Sequence, residues 1–261
     1  MNSKAGERRY LVAAPMYNEE NVAQLVVDDL LQCLQPLNLE VEVLIIDDGS
    51  TDTTPEVLAS YGDRITVIRN VVNQGVGAAF AAMLEYCHQH EKTHFVFQEG
   101  SYKVRASEII KIIRISEADD YDYILGSRFL RKEDSVQTPW QRRTLIRHFS
   151  SLFRLLTGFP VTDITCGPRL VRMAAWDNRL NQMPGCSGYQ FEHVITIWLL
   201  HHGARFRPVD VEIQYPELRQ YSYINLGNIW QIIEPWVLYS AWRLTRLPFL
   251  CPKWLLLRPQ L

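Results

Sequence analysis

Residues Val41 to Thr54 read VEVLIIDDGSTDTT, and this segment constrains the fold more than any other. Five of the six positions from Val41 to Ile46 are apolar, and Asp47, Asp48, Gly49 and Ser50 follow at once. The run is short, apolar and rich in β-branched residues, which predicts a buried strand. Two adjacent carboxylates are costly to desolvate, so they belong at the strand's mouth, facing water or a ligand. In open α/β sheets ligands bind outside the carboxyl ends of the strands. The segment therefore points to a site as well as to a fold.

The surrounding sequence repeats the pattern. Further strands are predicted over Tyr10–Ala14, Ile65–Arg69, Phe95–Phe97 and Tyr123–Leu125. A helix is predicted over Asn21–Leu34, where Val22, Leu25, Val26, Leu30 and Leu34 recur at helical spacing. Others are predicted over Thr54–Tyr61 with Pro55 in the first turn, over Gly75–Cys87, and over Ser107–Ile115 with Ser107 as N-cap. Strand and helix alternate to about residue 130, the pattern of a parallel sheet with helices on both faces. The second half is less regular. A basic, aromatic helix is expected over Pro139–Gly158, then turns from Gly158 to Pro168, a helix over Phe191–His201, and a half-buried strand over Val209–Tyr215.

Composition removes some classes of function. A formal charge of -2 and a pI near 6.4 argue against a nucleic-acid binder driven by bulk charge. The five cysteines are odd in number and form no CxxC pair, which fits free thiols in a reducing compartment. No apolar h-region opens the chain and no run of 18 apolar residues occurs, so neither a secretory signal nor a membrane span is expected. The tail from Ile229 to Leu257 is different. It holds Trp230, Trp236, Trp242 and Trp254 with Arg243, Arg246 and Lys253. That mixture suits a bilayer interface. It equally suits a helix pair packed on the body or on another subunit.

Five constellations could carry chemistry. Pro15, Tyr17, Asn18 and Glu19 follow the first strand, where they could stack on a base and bind a ribose, or simply open a helix with acidic residues at its positive end. Asp47 and Asp48 could accept a base N–H or a ribose hydroxyl, or form an Asx turn with Asp48 and Ser50 capping the next helix. Asn73, Gln74, Gly75, Val76 and Gly77 could let a phosphate or sugar approach a helix N-terminus, or make a plain turn. Arg128, in Gly126-Ser127-Arg128-Phe129, is placed to meet a phosphate, with Arg131, Lys132, Arg142, Arg143 and Arg147 beyond it; a solvated basic helix is the alternative. Asp163 and Glu192 could supply a general base and a sugar-binding group, or be a helix cap and a buried partner for an arginine.

Taken in order, the segments PMYNEEN (15–21), LIIDDGSTDTT (44–54), NQGVGAAFAAM (73–83), ILGSRF (124–129), TDITCGPRLVRM (162–173) and FEHVITIWLLHHGARFRPVDVEIQY (191–215) resemble the family 2 glycosyltransferases of GT-A fold. The likeness is greatest to dolichyl- and polyprenyl-phosphate mannosyl- and glucosyltransferases. The resemblance implies an α/β fold with a single Rossmann-like mixed sheet flanked by helices, occupying residues 1–216. Amphipathic helices would follow over 217–261. It also implies transfer of a sugar, with inversion, from a nucleotide-diphosphate donor to a lipid-linked phosphate. Pro15, Tyr17, Asn18, Glu19, Asp47, Asp48, Gly75, Gln98 and Glu99 would bind the nucleotide sugar. Asp163, Glu192 and Arg128 would serve catalysis, and Arg128, Arg143, Arg219 and Ser222 the acceptor phosphate.

The chain departs from the family where Asp-x-Asp would bind Mg²⁺ or Mn²⁺: it has Gln98-Glu99-Gly100, leaving Glu99 as the one acidic metal ligand. Lys103 or a nearby arginine could instead replace the metal's charge. After Arg219, Tyr223 stands where the family often has a lysine. The alternative function is a non-catalytic member acting as a binding or regulatory subunit. The expected partners are a nucleotide sugar, a lipid phosphate and, through the tail, a membrane surface, with no nucleic acid; self-association is left open. The expected location is cytoplasmic, peripheral on the membrane face.

Overall fold

The computed structural model describes residues 8–131, 138–182, 188–215 and 226–257. Seven strands form one sheet: β1 (Arg9–Met16), β2 (Glu40–Asp47), β3 (Thr66–Arg69), β4 (His94–Phe97), β5 (Tyr123–Ser127), β6 (Arg169–Arg172) and β7 (Phe206–Asp210). Their order is β3-β2-β1-β4-β6-β5-β7. All neighbours are parallel except β6, which runs antiparallel to both β4 and β5. The sheet is therefore mixed, as the resemblance implied.

Helices cover both faces, and the strand residues alternate between them. On β1, Tyr10, Val12, Ala14 and Met16 pack towards α1 (Ala23–Leu34) and α4 (Ala106–Ala118), with the short α2 (Thr54–Ala59) at the rim. Leu11 and Ala13 face the opposite layer, built from α3 (Val76–Gln89), α5 (Trp140–Thr157), α6 (Phe191–His201) and α7 (Leu226–Thr245). A strand buried on both sides needs apolar residues at every position, which is why β1 and β2 read as continuous apolar runs. Each large side chain so buried contributes roughly 1.5–3 kcal/mol.

Several sequence expectations shift. Ser107 does not cap α4: the helix begins at Ala106, whose N–H donates to the Asp29 carboxylate of α1 at 2.9 Å. β6 directly follows the expected turns, in a stretch where no strand was expected, because two arginines and a preceding Gly-Pro hide a four-residue strand. β7 ends at Asp210, not Tyr215. The alternation beyond it is nonetheless real, since Val211 and Ile213 bury against Val104 and Cys166 outside the sheet. Among its described residues the tail holds one long helix, α7, followed by two short 3-10 turns. Trp236 of α7 is fully buried among Phe149, Phe153 and His193.

After β3 on one flank, the chain returns to place β4 on the other side of β1. β1, β2 and β4 run parallel, so the loops that follow them leave the sheet at one shared carboxyl edge, the end at which α/β sheets bind ligands.

Candidate functional site

The loops after β1 and β2 are laced together at this edge. Asn18, held left-handed at φ 54°, accepts the Thr51 N–H on its Oδ1 at 2.8 Å. Its own N–H donates to Ser50 Oγ at 3.0 Å. The Glu19 N–H donates to Thr54 Oγ1 at 2.8 Å. Tyr17 is left 44% exposed at the mouth, and Pro15 is half-buried beneath it in β1.

The two aspartates have different work. Asp47 closes the turn after β2, accepting the Ser50 N–H at 3.0 Å, and pairs with Arg69 Nε at 3.2 Å. Asp48 reaches sideways. Its carboxylate accepts Asn70 Nδ2 at 2.7 Å and the N–H groups of Gln74 and Gly75 at 2.9 and 2.8 Å. It therefore holds the loop that leads into α3. Neither Asp48 nor Ser50 caps α2; Asp52 takes the Thr54 N–H instead, at 3.0 Å. The Gly75 N–H, in the segment that could let a phosphate or sugar approach the helix or make a plain turn, is spent on Asp48. Gly49, at φ 77°, lies under the same loop, where a Cβ would come within 2.7 Å of the Val72 carbonyl carbon.

At the end of β4, Gln98 is 1% exposed. Its Nε2 donates to the carbonyls of Glu99 at 3.1 Å and Val104 at 2.9 Å, closing the loop on itself, while its Oε1 has no hydrogen-bond partner. Gly100 sits on the end of β1 so tightly that a Cβ there would strike the Pro15 carbonyl oxygen. Glu99, half-buried, lies over Gly167 with equal closeness. A hard dication takes about six oxygen ligands. The described residues offer one carboxylate here beside a buried neutral amide, and no group of three His, Cys, Asp or Glu occurs among them. A dication here would have Glu99 as its protein carboxylate and would take most of its remaining oxygens from a bound diphosphate and water.

Beyond β5 lie two ion pairs, one fully buried and one with a partly accessible carboxylate. Arg128, 3% exposed, donates through Nε and Nη2 to both oxygens of Asp163 at 2.7 and 2.8 Å, to Thr165 Oγ1 at 2.6 Å, and through Nη1 to the Tyr215 hydroxyl at 2.9 Å. Burial works against its charge, but the adjacent Asp163 carboxylate prevails and holds the guanidinium's pKa well above its ordinary value. Arg169, fully buried on β6, donates to the Gly167 and Cys166 carbonyls and pairs with Glu192 in the first turn of α6. Burial pushes the Glu192 carboxyl up, the Arg169 charge pulls it down, and Glu99 adds to the rise. Its side chain stays 23% accessible.

The strand-end segments expected to share a site thus meet along one edge. Arg143 is half-buried on α5, near Arg142, whose guanidinium stands 5.2 Å from the centre of the Tyr215 ring. Arg219 and Ser222 lie outside the described residues, as do Lys132 and Tyr223. Sequence reasoning missed Thr165 and Tyr215 as partners of Arg128. The first stands two residues after Asp163, an Asx-turn spacing that was there to be read; the second ends the alternating run after β7.

A protein-family model described as glycosyl transferase family 2 matches residues 11–180. A polyprenol monophosphomannose synthase from Mycolicibacterium smegmatis is 26% identical over 214 residues, covering 80% of this chain and 78% of the relative. A dolichyl-phosphate beta-glucosyltransferase from Mus musculus is 25% identical over 263 residues, covering 89% and 77%. Among solved structures, glucosyl-3-phosphoglycerate synthase from Mycobacterium tuberculosis in complex with Mn²⁺, uridine-diphosphate and glucosyl-3-phosphoglycerate shares the fold, with a TM-score of 0.61, 17% identity and coverage of 94% and 82%.

Proposed function

The chain belongs to glycosyl transferase family 2, and we propose that it moves a sugar from a nucleotide-diphosphate donor to a polyprenyl-phosphate acceptor with inversion at the anomeric carbon. The observation that carries this reading is the single edge at which the ends of β1, β2, β4 and β5 converge, in a chain whose relatives include a polyprenol monophosphomannose synthase and a dolichyl-phosphate beta-glucosyltransferase.

In this reading Pro15, Tyr17, Asn18 and Glu19 line the nucleoside side of this edge, and Tyr17 has the exposure to stack on a base. Asp47 and Asp48 are positioning residues. Their oxygens are engaged by the protein, so the nucleoside meets the loops they order. Gln98, Glu99 and Gly75 border the path of the diphosphate. The acceptor's phosphate is drawn by arginines from the β5 end and α5, Arg128 and Arg143, and we extend the same role to Arg219 and Ser222.

A phosphate acceptor is already ionised at neutral pH, so its oxygen can attack the anomeric carbon without a strong base. The bond to the departing nucleoside diphosphate breaks as the new bond forms on the opposite face. Catalysis then rests on orientation and on stabilising the leaving group's charge. Asp163 keeps Arg128 in place, and Glu192 lies with Arg169 at the sugar end. No step is routed through a metal. The division at 217 is one of roles: residues 1–216 hold the nucleotide-sugar site, and the tail adds Arg219 and Ser222 for the acceptor phosphate and supports the site at a membrane surface.

Calorimetric titration with a panel of GDP- and UDP-sugars, with and without Mn²⁺, tests donor binding. Incubation of a labelled donor with a short polyprenyl phosphate tests transfer. Binding of at least one donor and a labelled lipid product are expected. A panel in which nothing binds overturns the reading.

A further inference from the structure

The strongest unassigned feature is a surface on the outer side of α5 and α7. The two helices lie side by side: Phe149 and Phe153 pack on Trp236 at 4.6 and 5.2 Å between ring centres, and Arg243 Nη1 donates to the Thr157 carbonyl at 2.8 Å. Away from this seam, large apolar side chains face solvent. On α5 these are Trp140 (67% exposed), Leu145 (67%) and Leu155 (76%); on α7 and the turn after it, Trp230 (61%), Leu244 (74%) and Phe249 (80%). Single exposed leucines are ordinary, but a concentration of this size on adjoining elements marks an interaction surface.

The charges around it select the partner. α5 carries Arg142, Arg143, Arg147 and Arg154 with no acidic residue. Residues 226–257 hold Arg243, Arg246 and Lys253 against the single Glu234. Seven cations against one carboxylate, in a chain of net charge -2, make this the basic side of the molecule. Two copies would present like charges to each other, whereas an anionic lipid surface complements them. Exposed Trp and Leu with flanking arginines are the composition of an interfacial helix. No helix among the described residues is long and apolar enough to cross a membrane.

We propose that α5 and α7 together form a docking face for an anionic bilayer surface. The face differs from the one expected of the tail alone, since Trp236 and Trp254 are buried. It deepens the lipid-phosphate reading above and rests on it for its purpose. The same helix reaches the site, for Arg142 stacks on Tyr215, which Arg128 contacts, and Arg147 stands 5.1 Å from the centre of the Phe129 ring. Docking on α5 brings that edge to headgroup level.

Flotation of the full chain with vesicles of phosphatidylcholine, alone or with about one-third phosphatidylglycerol, tests the face. The wild type should float with the anionic vesicles and be released by salt. The pairs Leu145→Glu with Leu155→Glu, and Leu244→Glu with Phe249→Glu, should each cut the bound fraction about ten-fold. Leu25→Glu, on the exposed side of α1, should leave it unchanged. Tryptophan quenching by brominated lipids gives a second readout, which Trp140→Phe and Trp230→Phe should weaken. A wild type that fails to float, or variants that float as it does, would overturn the proposal. So would a dimer in light scattering that the same variants dissociate, since a second copy would then be the occupant. Flotation without binding of any donor sugar would sink the transfer reading and leave the docking face standing.

Discussion

At the scale of single residues, the buried Arg128–Asp163 pair is the most consequential contact. Removing one member strands a charge, a loss of about 3–5 kcal/mol, whereas exchanging both for apolar residues is far less costly. Asp163→Ala should therefore lower the denaturation midpoint sharply. Arg128→Met combined with Asp163→Leu should recover most of the stability in the same urea titration but no sugar transfer. If the double variant stays as unstable as the single one, the pair is not held by charge compensation. Asp48 works by a different route. It supplies the acceptor for three donors around residues 70–75, and hydrogen bonds to a charged group are worth about 1.5–3 kcal/mol each. Asp48→Asn should speed hydrogen exchange at the Gln74 and Gly75 amides and weaken donor binding about ten-fold. Unchanged exchange would remove Asp48 from the role of loop holder.

At the scale of elements, α7 is a wall of the core. Trp236 is fully buried against α5 and α6, so Trp236→Ala should cost about 3–5 kcal/mol in thermal or chemical denaturation. A change within experimental error would mean that the helix is an appendage. This placement also shows what could be read beforehand and what could not. β1, β2 and the helices α1, α3 and α6 announced themselves, because burial on both faces makes a strand a continuous apolar run and burial along a helix favours recurring apolar or small residues. β6 did not: four residues are too few to show a period, and its ends are arginines. The site was legible as positions, since strand ends followed by Asp, Asn and Gly are easy to see. Its wiring was not. That Asp48 turns to the 70–75 loop, or that Arg128 is shared by Asp163, Thr165 and Tyr215, depends on side chains brought together from distant parts of the chain.

At the scale of the molecule, two buried histidines set the response to acid. Burial, helped by the charges of Arg8 and Arg172, lowers His94 to about 4; burial and the Arg169 charge lower His193 to about 3. Both fold neutral, while the unfolded chain takes up these protons near pH 6.5. The unfolded state then binds more protons, so stability is complete above about pH 7 and declines as the pH falls from about 6.5 towards 4. Melting temperatures across that range should decline, and His94→Gln should start lower at neutral pH yet decline less steeply. A flat profile for the wild type would show that neither imidazole is held neutral. The antiparallel strand β6 carries a different consequence, one of timing. The ribosome delivers β4 and β5 before the strand that joins them. Until residues 169–172 emerge, the nascent chain holds a four-stranded half-sheet with an open edge at β4, and Tyr123 to Ser127 has no neighbour to pair with. An unpaired edge is a template for other chains. The stretch of synthesis between β5 and β6 is therefore when this protein is most exposed to misassembly and most in need of a chaperone.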